Sequence, residues 1–454
     1  MFTTFLSELD QSTPRYTSYP PATYFNKDIT SQHYIDWIQE IEGDLSLYVH
    51  IPFCQALCWF CGCHTKVPGN YEAATDYLTS LYKEIEIVAD LVPATCCITH
   101  LHFGGGTPTF LKSSDLEMLF KNLFQNFQMT KEVTIDMEID PRTVKEDLVC
   151  LIGELGVNRV SLGVQDFDPK VQEAIGRIQP FELVEDTLYR LRQKGIVHVN
   201  LDMMYGLPLQ TEKSIEENVK KVLKLAPDRC AFFGYGHVPW MKPHQKKLEI
   251  YQLPDSLERY KQFSRAKYLF NASGYESIGI DHFALPGDSL LLAAKSKRMK
   301  RNFQGYTSDQ ANAVIGLGAS AVTQVPKGYL QNNSVTKAYK EALNVQKTLP
   351  IGRGFAFSNE DKIRGEIISH LMCFFEADLS DICGTPRLAQ EYMKGAYQTL
   401  HLYEREGLVT IKDLKITICE EARYLTRLIA KSFDDFSPHT KRIDKDIKIK
   451  RAKG

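Results

Sequence analysis

No stretch of 18 apolar residues occurs anywhere in the 454 residues of the chain, so nothing in it reads as a transmembrane helix. It has no excess of charge of either sign. Its 54 Lys and Arg stand against 56 Asp and Glu, a formal net charge of -2, and no global field draws it to nucleic acid or to anionic lipid. The opening MFTTFLSELD has no basic flank before an apolar stretch, which predicts no secretory signal and a cytosolic protein. There is no second C-x-x-C pair, no Lys-Ser or Lys-Thr after the one glycine run, no low-complexity segment and no internal repeat beyond a βα rhythm. A two-segment zinc site, a phosphate-binding P-loop and a solenoid are thereby disfavoured.

What is present is a dense group of thiols. Cys54, Cys58, Cys61 and Cys63 fall in the run Leu47 to His64, LYVHIPFCQALCWFCGCH. The first three have the spacing C-x-x-x-C-x-x-C, which puts three thiolates on one short loop and leaves one iron of a cubic [4Fe-4S] cluster without a protein ligand. Such an iron can coordinate a cosubstrate and do chemistry, whereas a cluster closed by four thiolates only carries electrons. A zinc knuckle is the alternative, although such sites usually draw ligand pairs from separated segments. The seven remaining cysteines, Cys96, Cys97, Cys150, Cys230, Cys373, Cys383 and Cys419, lie in apolar contexts and read as reduced, buried thiols.

Short β-type runs alternate with helical stretches: Leu45 to Val49, Ile98 to Phe103, Val133 to Ile139, Arg159 to Val164, Val199 to Met204, Cys230 to Tyr235 and a weaker Ser277 to His282. The helices between them carry apolar stripes, Leu78, Leu81, Ile85 and Val88 in one and Val184, Leu188 and Leu191 in another. The pattern predicts an α/β fold, a partial (β/α)6-type parallel barrel, with the chemistry on loops at the C-terminal ends of its strands. An N-terminal extension is expected over 1–43, the barrel over 44–345, a mainly helical, winged-helix-like domain over 346–440 and a basic tail over 441–454.

The cysteine loop resembles that of the radical S-adenosylmethionine superfamily, and further motifs narrow the likeness. These are PRYTSYP at Pro14 to Pro20, GGGTP at Gly104 to Pro108, GVQDF at Gly163 to Phe167, DMMYGLP at Asp202 to Pro208 and RNFQGYT at Arg301 to Thr307. Together they resemble the oxygen-independent coproporphyrinogen III dehydrogenase family over nearly the whole chain. The resemblance implies Cys54, Cys58 and Cys61 as cluster ligands, with Cys63 close by but not a ligand. It implies two S-adenosylmethionine molecules: Tyr48, Gly105, Glu138 and Val322 for the first, Gly106, Thr107, Gln165, Arg177, Asp202 and Gly236 for the second, and Phe60 as an aromatic contact to S-adenosylmethionine. At Gly236 the family pattern has alanine. Arg15, Arg301, Phe303 and Gln304 are the candidates for a substrate that carries propionates, because arginine suits carboxylates.

The reaction implied is removal of hydrogen from two propionates of coproporphyrinogen III by a 5'-deoxyadenosyl radical. Loss of an electron and CO₂ from each side chain then gives the vinyls of protoporphyrinogen IX. The partners expected are this substrate, a low-potential electron donor and an electron acceptor, the last two not identified by any motif. Nucleic acid and membrane are not expected, and the chain should act as a monomer. Two relatives of the superfamily are the rival readings: a haem methyltransferase that opens the ring, and a haem-trafficking chaperone.

Overall fold

The computed structural model describes residues 2–436, so the basic tail expected over 441–454 lies outside the described residues. Helices α1 (Phe2–Ser12) and α2 (Ser31–Gln39) precede a run of βα steps. These are β1 (Leu45–Ile51), α3 (Glu72–Leu91), β2 (Ile98–Gly105), α4 (Ser113–Asn126), β3 (Met129–Ile139), α5 (Glu146–Glu154), β4 (Arg159–Gln165), α6 (Pro169–Ala174), α7 (Phe181–Gln193), β5 (His198–Tyr205), α8 (Glu212–Leu225) and β6 (Arg229–Gly234). Next come α9 (Ser256–Ala272), β7 (Glu276–Ile278), β8 (His282–Ala284), α10 (Ser289–Lys295), the hairpin β9 (Lys300–Asn302) and β10 (Gly305–Thr307), and β11 (Ala313–Leu317). The strands β12 (Val322–Val325) and β13 (Gly328–Asn332), helix α11 (Thr336–Glu341) and strand β14 (Ile351–Ala356) follow.

One sheet of 12 strands organises the chain, in the order β14-β13-β12-β11-β1-β2-β3-β4-β5-β6-β8-β7. The central seven, β11 and β1 to β6, run parallel, and antiparallel strands extend both edges. Two expectations are corrected here. Ser277 to His282 is not one strand: the chain reverses through Gly279, at φ +51°, and forms the antiparallel pair β7 and β8. The seventh parallel strand is β11, which the sequence pattern did not flag.

The strand residues alternate in character. Leu45, Leu47, Val49 and Ile51 of β1, Leu101 and Phe103 of β2, and Ile135, Met137 and Ile139 of β3 are buried in one core with the helix stripe Leu78, Leu81, Ile85 and Val88 of α3. Their neighbours along each strand, Ser46, Tyr48, His50, His100, His102, Asp136, Glu138, Ser161, Asn200 and Asp202, are polar, and Tyr48–His102, His100–Asp136, His102–Glu138, Ser161–Asp202 and Ser161–Asn200 meet across the strands. Period-2 geometry sends these to the opposite face. A parallel sheet is usually apolar on both faces. Here one face is covered by helices and the other is a polar interior suited to ligands.

Helix α3 is fastened to the far edge by Glu84, which is buried and accepts from Gly318 N at 2.7 Å, Tyr339 Oη at 2.6 Å and Asn332 Nδ2 at 2.5 Å. Burial pushes its carboxyl up to about 7 against those donors.

Beyond the sheet lie α12 (Asn359–Phe374), β15 (Glu376–Asp378), α13 (Leu379–Cys383), α14 (Pro386–Arg405), β16 (Val409–Lys412), β17 (Lys415–Ile418) and α15 (Thr426–Ala430). The strand pair expected near 408–418 is present, joined by β15 into a three-stranded antiparallel sheet. Leu6 and Leu9 of α1, with Tyr16 and Tyr19, share a core with Ile367, Leu371 and Leu400, so the N-terminal segment packs on this module. Of the seven outlying cysteines only Cys96, Cys230 and Cys373 are buried. Cys97, Cys150, Cys383 and Cys419 are half-buried, which corrects the expectation for those four. Among the described residues no helix is long and apolar enough to cross a membrane.

Candidate active site

The cysteine loop leaves β1 and closes on itself: Cys54 N donates to Lys66 O at 3.1 Å and Lys66 N to Pro52 O at 2.8 Å. Within it Cys61 N donates to Cys58 O at 3.2 Å, a tight turn, and Trp59 N reaches Ile175 O at 2.9 Å. Burial pushes the Cys54 thiol up to about 11, although Thr65 Oγ1 lies 3.0 Å from its sulfur. The hydrogen bond from Cys63 brings Cys61 down to about 7 against its burial. Arg142 Nη2 and Arg177 Nη1 each donate to Cys58 Sγ at 3.5 Å. Three cysteines on one loop, one of them receiving two guanidinium groups, suit a cluster of net negative charge.

The glycine run at the end of β2 is fitted to its neighbours on three sides. A Cβ on Gly104 would lie 2.8 Å from Glu138 Oε1 and 3.0 Å from Tyr48 Cε2. Gly105 has φ +114°, and a Cβ there would lie 2.7 Å from the His50 ring. A Cβ on Gly106 would stand 2.4 Å from the carbonyl oxygen of Phe53, the residue before Cys54. Gly106 N donates to Ile51 O at 2.8 Å and Thr107 N to Phe53 O at 2.9 Å, so the glycines let β2 lie directly against the root of the cysteine loop.

The expected site residues fall into three groups. Tyr48, Glu138 and Gly105 form the first: Gly105 N donates to Glu138 Oε2 at 3.2 Å, His102 Nε2 lies 3.2 Å from Glu138 Oε1, and Tyr48 Oη lies 3.0 Å from His50 Nδ1. The Glu138 side chain remains 41% exposed, so its carboxylate is open to a ligand. Phe60 is in the apolar cluster of Val171, Ile175 and Leu248, while Val322 opens β12 with its backbone against Gly316. In the second group Gly163 stands between Arg177 and Gln165, which has φ +72°. Arg177 Nη1 also donates to Asp140 Oδ2 at 3.2 Å and Nη2 to the Gly163 carbonyl. Asp202 accepts from Ser161 Oγ at 2.9 Å and Asn200 Nδ2 at 2.8 Å; burial, helped by the charge of Glu138, pushes it up to about 6. Thr107 is buried, its hydroxyl 2.8 Å from Thr109 Oγ1 and accepting from Asp140 N at 3.3 Å.

The third group joins the two ends of the sequence. Arg301 donates from Nε to Tyr16 O at 3.0 Å and from Nη2 to Arg15 O at 3.3 Å, and Arg15 Nη2 donates to Gly234 O at 2.7 Å. A Cβ on Gly236 would lie 2.7 Å from Arg15 Nη2, so the glycine found here in place of alanine leaves room for that guanidinium. Against its desolvation, Asp281 is held below the usual carboxylate range by His282, Arg301 and Arg15. Phe303 stands apart, edge-on to Tyr329 at 5.1 Å, and Gln304 is exposed in the turn of the hairpin. Two clefts, of 380 and 270 Å³, share Arg301 and Asn312; neither is lined by the cysteines.

Three features were not foreseen. Asp140 is bracketed by Arg142 and Arg177 beside Cys58, to whose sulfur both guanidinium groups donate. The segment from His237 to Ile250 clasps the cysteine loop, with Lys242 Nζ on Cys63 O at 2.8 Å, His244 Nε2 on Cys61 O at 2.8 Å and Gln245 Nε2 on Phe60 O at 2.9 Å. In the interior, His100 Nε2 lies 2.9 Å from Asp136 and its Nδ1 3.7 Å from Asp309, with Arg159 3.3 Å from Asp136.

A cysteine loop at the C-terminal end of the first strand of a parallel barrel defines the class, and residues 48–222 match the radical SAM superfamily. The chain is 39% identical to the oxygen-independent coproporphyrinogen III oxidase of Bradyrhizobium diazoefficiens, over 94% of this chain and 95% of that protein, and 36% identical to the Escherichia coli protein of that name, over 95% and 94%. The crystallised coproporphyrinogen III oxidase of Escherichia coli, described as a radical SAM enzyme, superposes with a TM-score of 0.89 at 36% identity, covering 93% of this chain and 98% of that one. This chain belongs to the oxygen-independent coproporphyrinogen III oxidase family.

Proposed function

We propose that the chain converts two propionates of coproporphyrinogen III to vinyls without oxygen, giving protoporphyrinogen IX. It would hold a [4Fe-4S] cluster on Cys54, Cys58 and Cys61 and two molecules of S-adenosylmethionine. The observation that carries this reading is the meeting of Arg301 with Arg15 and Tyr16. It brings together PRYTSYP and RNFQGYT, the two motifs on which the reading of a propionate-bearing substrate rests, and it accords with relatives of that name along 95% of the chain.

What cluster and cosubstrate supply when bound is a one-electron reductive cleavage and a carbon radical able to take hydrogen from a propionate. The chain's own residues bind and orient. Glu138, still partly open, would accept from ribose hydroxyls of the first cosubstrate, beside Tyr48 and Gly105. Gln165, Arg177 and Asp202 would hold the second, and Arg15 with Arg301 would set the charge of the substrate seat, with Phe303 and Gln304 at its margin. The protein would work as a cytoplasmic monomer with a low-potential electron donor and a separate electron acceptor, binding neither nucleic acid nor membrane.

The test is anaerobic reconstitution followed by turnover with coproporphyrinogen III and mass spectrometry. A product lighter by two CO₂ and four hydrogens is expected. A methylated, ring-opened product would favour the haem methyltransferase reading, and unaltered haem released without decarboxylation the chaperone reading; either would sink this one.

A further inference from the structure

Large apolar side chains rarely stand out in solvent beside one another unless something covers them. In the segment that clasps the cysteine loop, Trp240 is 76% exposed, Met241 62% and Ile250 79%. The stretch from His237 to Ile250 holds three lysines against the single acid Glu249, on a chain whose net charge is -2; Lys242 and Lys247 turn their amines to the loop and Lys246 is exposed on the outer side. Its inner side is bound to the loop: Lys242, His244 and Gln245 hold the carbonyls of Cys63, Cys61 and Phe60, and Lys247 Nζ lies 3.4 Å from the centroid of the Trp59 ring. One face of the segment therefore touches the backbone of two loop cysteines while the other offers tryptophan, methionine and lysine to solvent.

We propose that this outer face is the docking surface of an acidic one-electron carrier protein, which delivers the reducing electron to the cluster through the clasp. The proposal rests on the reading of the loop as a cluster site. Tryptophan and methionine are enriched at the centres of protein interfaces, and lysines around them speed the arrival of an acidic partner. Redox encounters bury little surface and need only a small patch.

The test compares two reductants on the reconstituted protein, reading S-adenosylmethionine cleavage: dithionite, and an acidic flavodoxin reduced photochemically. The variant is Trp240→Ala with Lys246→Glu, neither of which holds the loop. The flavodoxin-driven rate should fall at least tenfold and lose most of its dependence on salt, while the dithionite-driven rate stays the same. An unchanged flavodoxin-driven rate, an equal fall with both reductants, or a wild-type protein that takes no electrons from flavodoxin would each overturn the proposal. So would a wild-type dimer that the variant dissociates, since a second copy would then be the occupant. A wild type that cleaves nothing even with dithionite would remove the functional reading itself.

Discussion

Arg301 is bonded to Tyr16 across 285 residues of chain, its Nε donating to the Tyr16 carbonyl at 3.0 Å. The same guanidinium lies over the Tyr306 ring at 4.4 Å and reaches the Arg15 carbonyl, so one side chain ties the N-terminal segment to the hairpin β9–β10. In this position it holds the backbone of Arg15 as well as carrying charge of its own.

Replacing Arg301 with alanine removes both roles. The loss of charge-assisted contacts is worth about 2 to 4 kcal/mol, or roughly 30-fold to 1000-fold in kcat/KM for coproporphyrinogen III. Arg301→Lys should recover little, because lysine lacks the planar fork. S-Adenosylmethionine cleavage without substrate should stay near the wild-type rate, and a matching loss there would remove Arg301 from the substrate seat.

Serine at Cys54, Cys58 or Cys61 should abolish the visible absorption of the reconstituted protein and its iron content. Cys63→Ser should keep the iron, since the C-x-x-x-C-x-x-C set is complete without it. Iron analysis after gel filtration decides, and loss of iron in Cys63→Ser would make it a ligand.

Arg142 and Arg177 both donate to Cys58 Sγ. Hydrogen bonds and positive charge favour the reduced, more negative cluster, so Arg142→Gln should lower its potential. A donor whose preference for the reduced state is about 1.4 kcal/mol corresponds to roughly 60 mV for one electron. Spectroelectrochemical titration that finds no change, or a rise, would count against this role.

Asp202→Asn should leave the cluster spectrum intact while equilibrium binding falls from two molecules of S-adenosylmethionine to one. The variant keeps the shape of the side chain beside Ser161 and Asn200. Unchanged stoichiometry would take Asp202 out of the second site.

Burial disfavours the charge on His100, but Asp136 and Asp309 outweigh it and hold the imidazolium up to about 9, with Arg159 and His102 the other ionisable neighbours. A folded pKa above the unfolded value of about 6.5 contributes stability that is complete below about pH 6.5 and lost as pH rises through 9, here on the order of 3 kcal/mol. Melting temperature should therefore fall between pH 6.5 and 9 in the wild type and fall much less in His100→Gln. Parallel curves would show that His100 is not charged in the folded protein.

The first six strands of the barrel could be read in the sequence because each is a short β-type run set off by a helical stretch. Strand β11 could not, because it is five residues long and earns its place by pairing with β1, more than 260 residues away. The edge strands β12 to β14 are likewise defined by partners rather than by pattern. The cysteine loop was legible because its ligands are close in sequence. Arg142, 84 residues from Cys58, and the clasp, some 180 residues from the loop, are contacts that only folding creates. The polar alternation is written into the strands themselves: Ser-Leu-Tyr-Val-His in β1 and His-Leu-His-Phe in β2 are patterns with a wet face.

Gly106 leaves no space for a side chain beside Phe53. Anyone transplanting the cysteine loop into another barrel would therefore have to carry the glycine-bearing strand with it. The loop and the end of β2 form one cassette, held at a spacing of a single backbone, and the cysteines alone would arrive without the wall they are folded against.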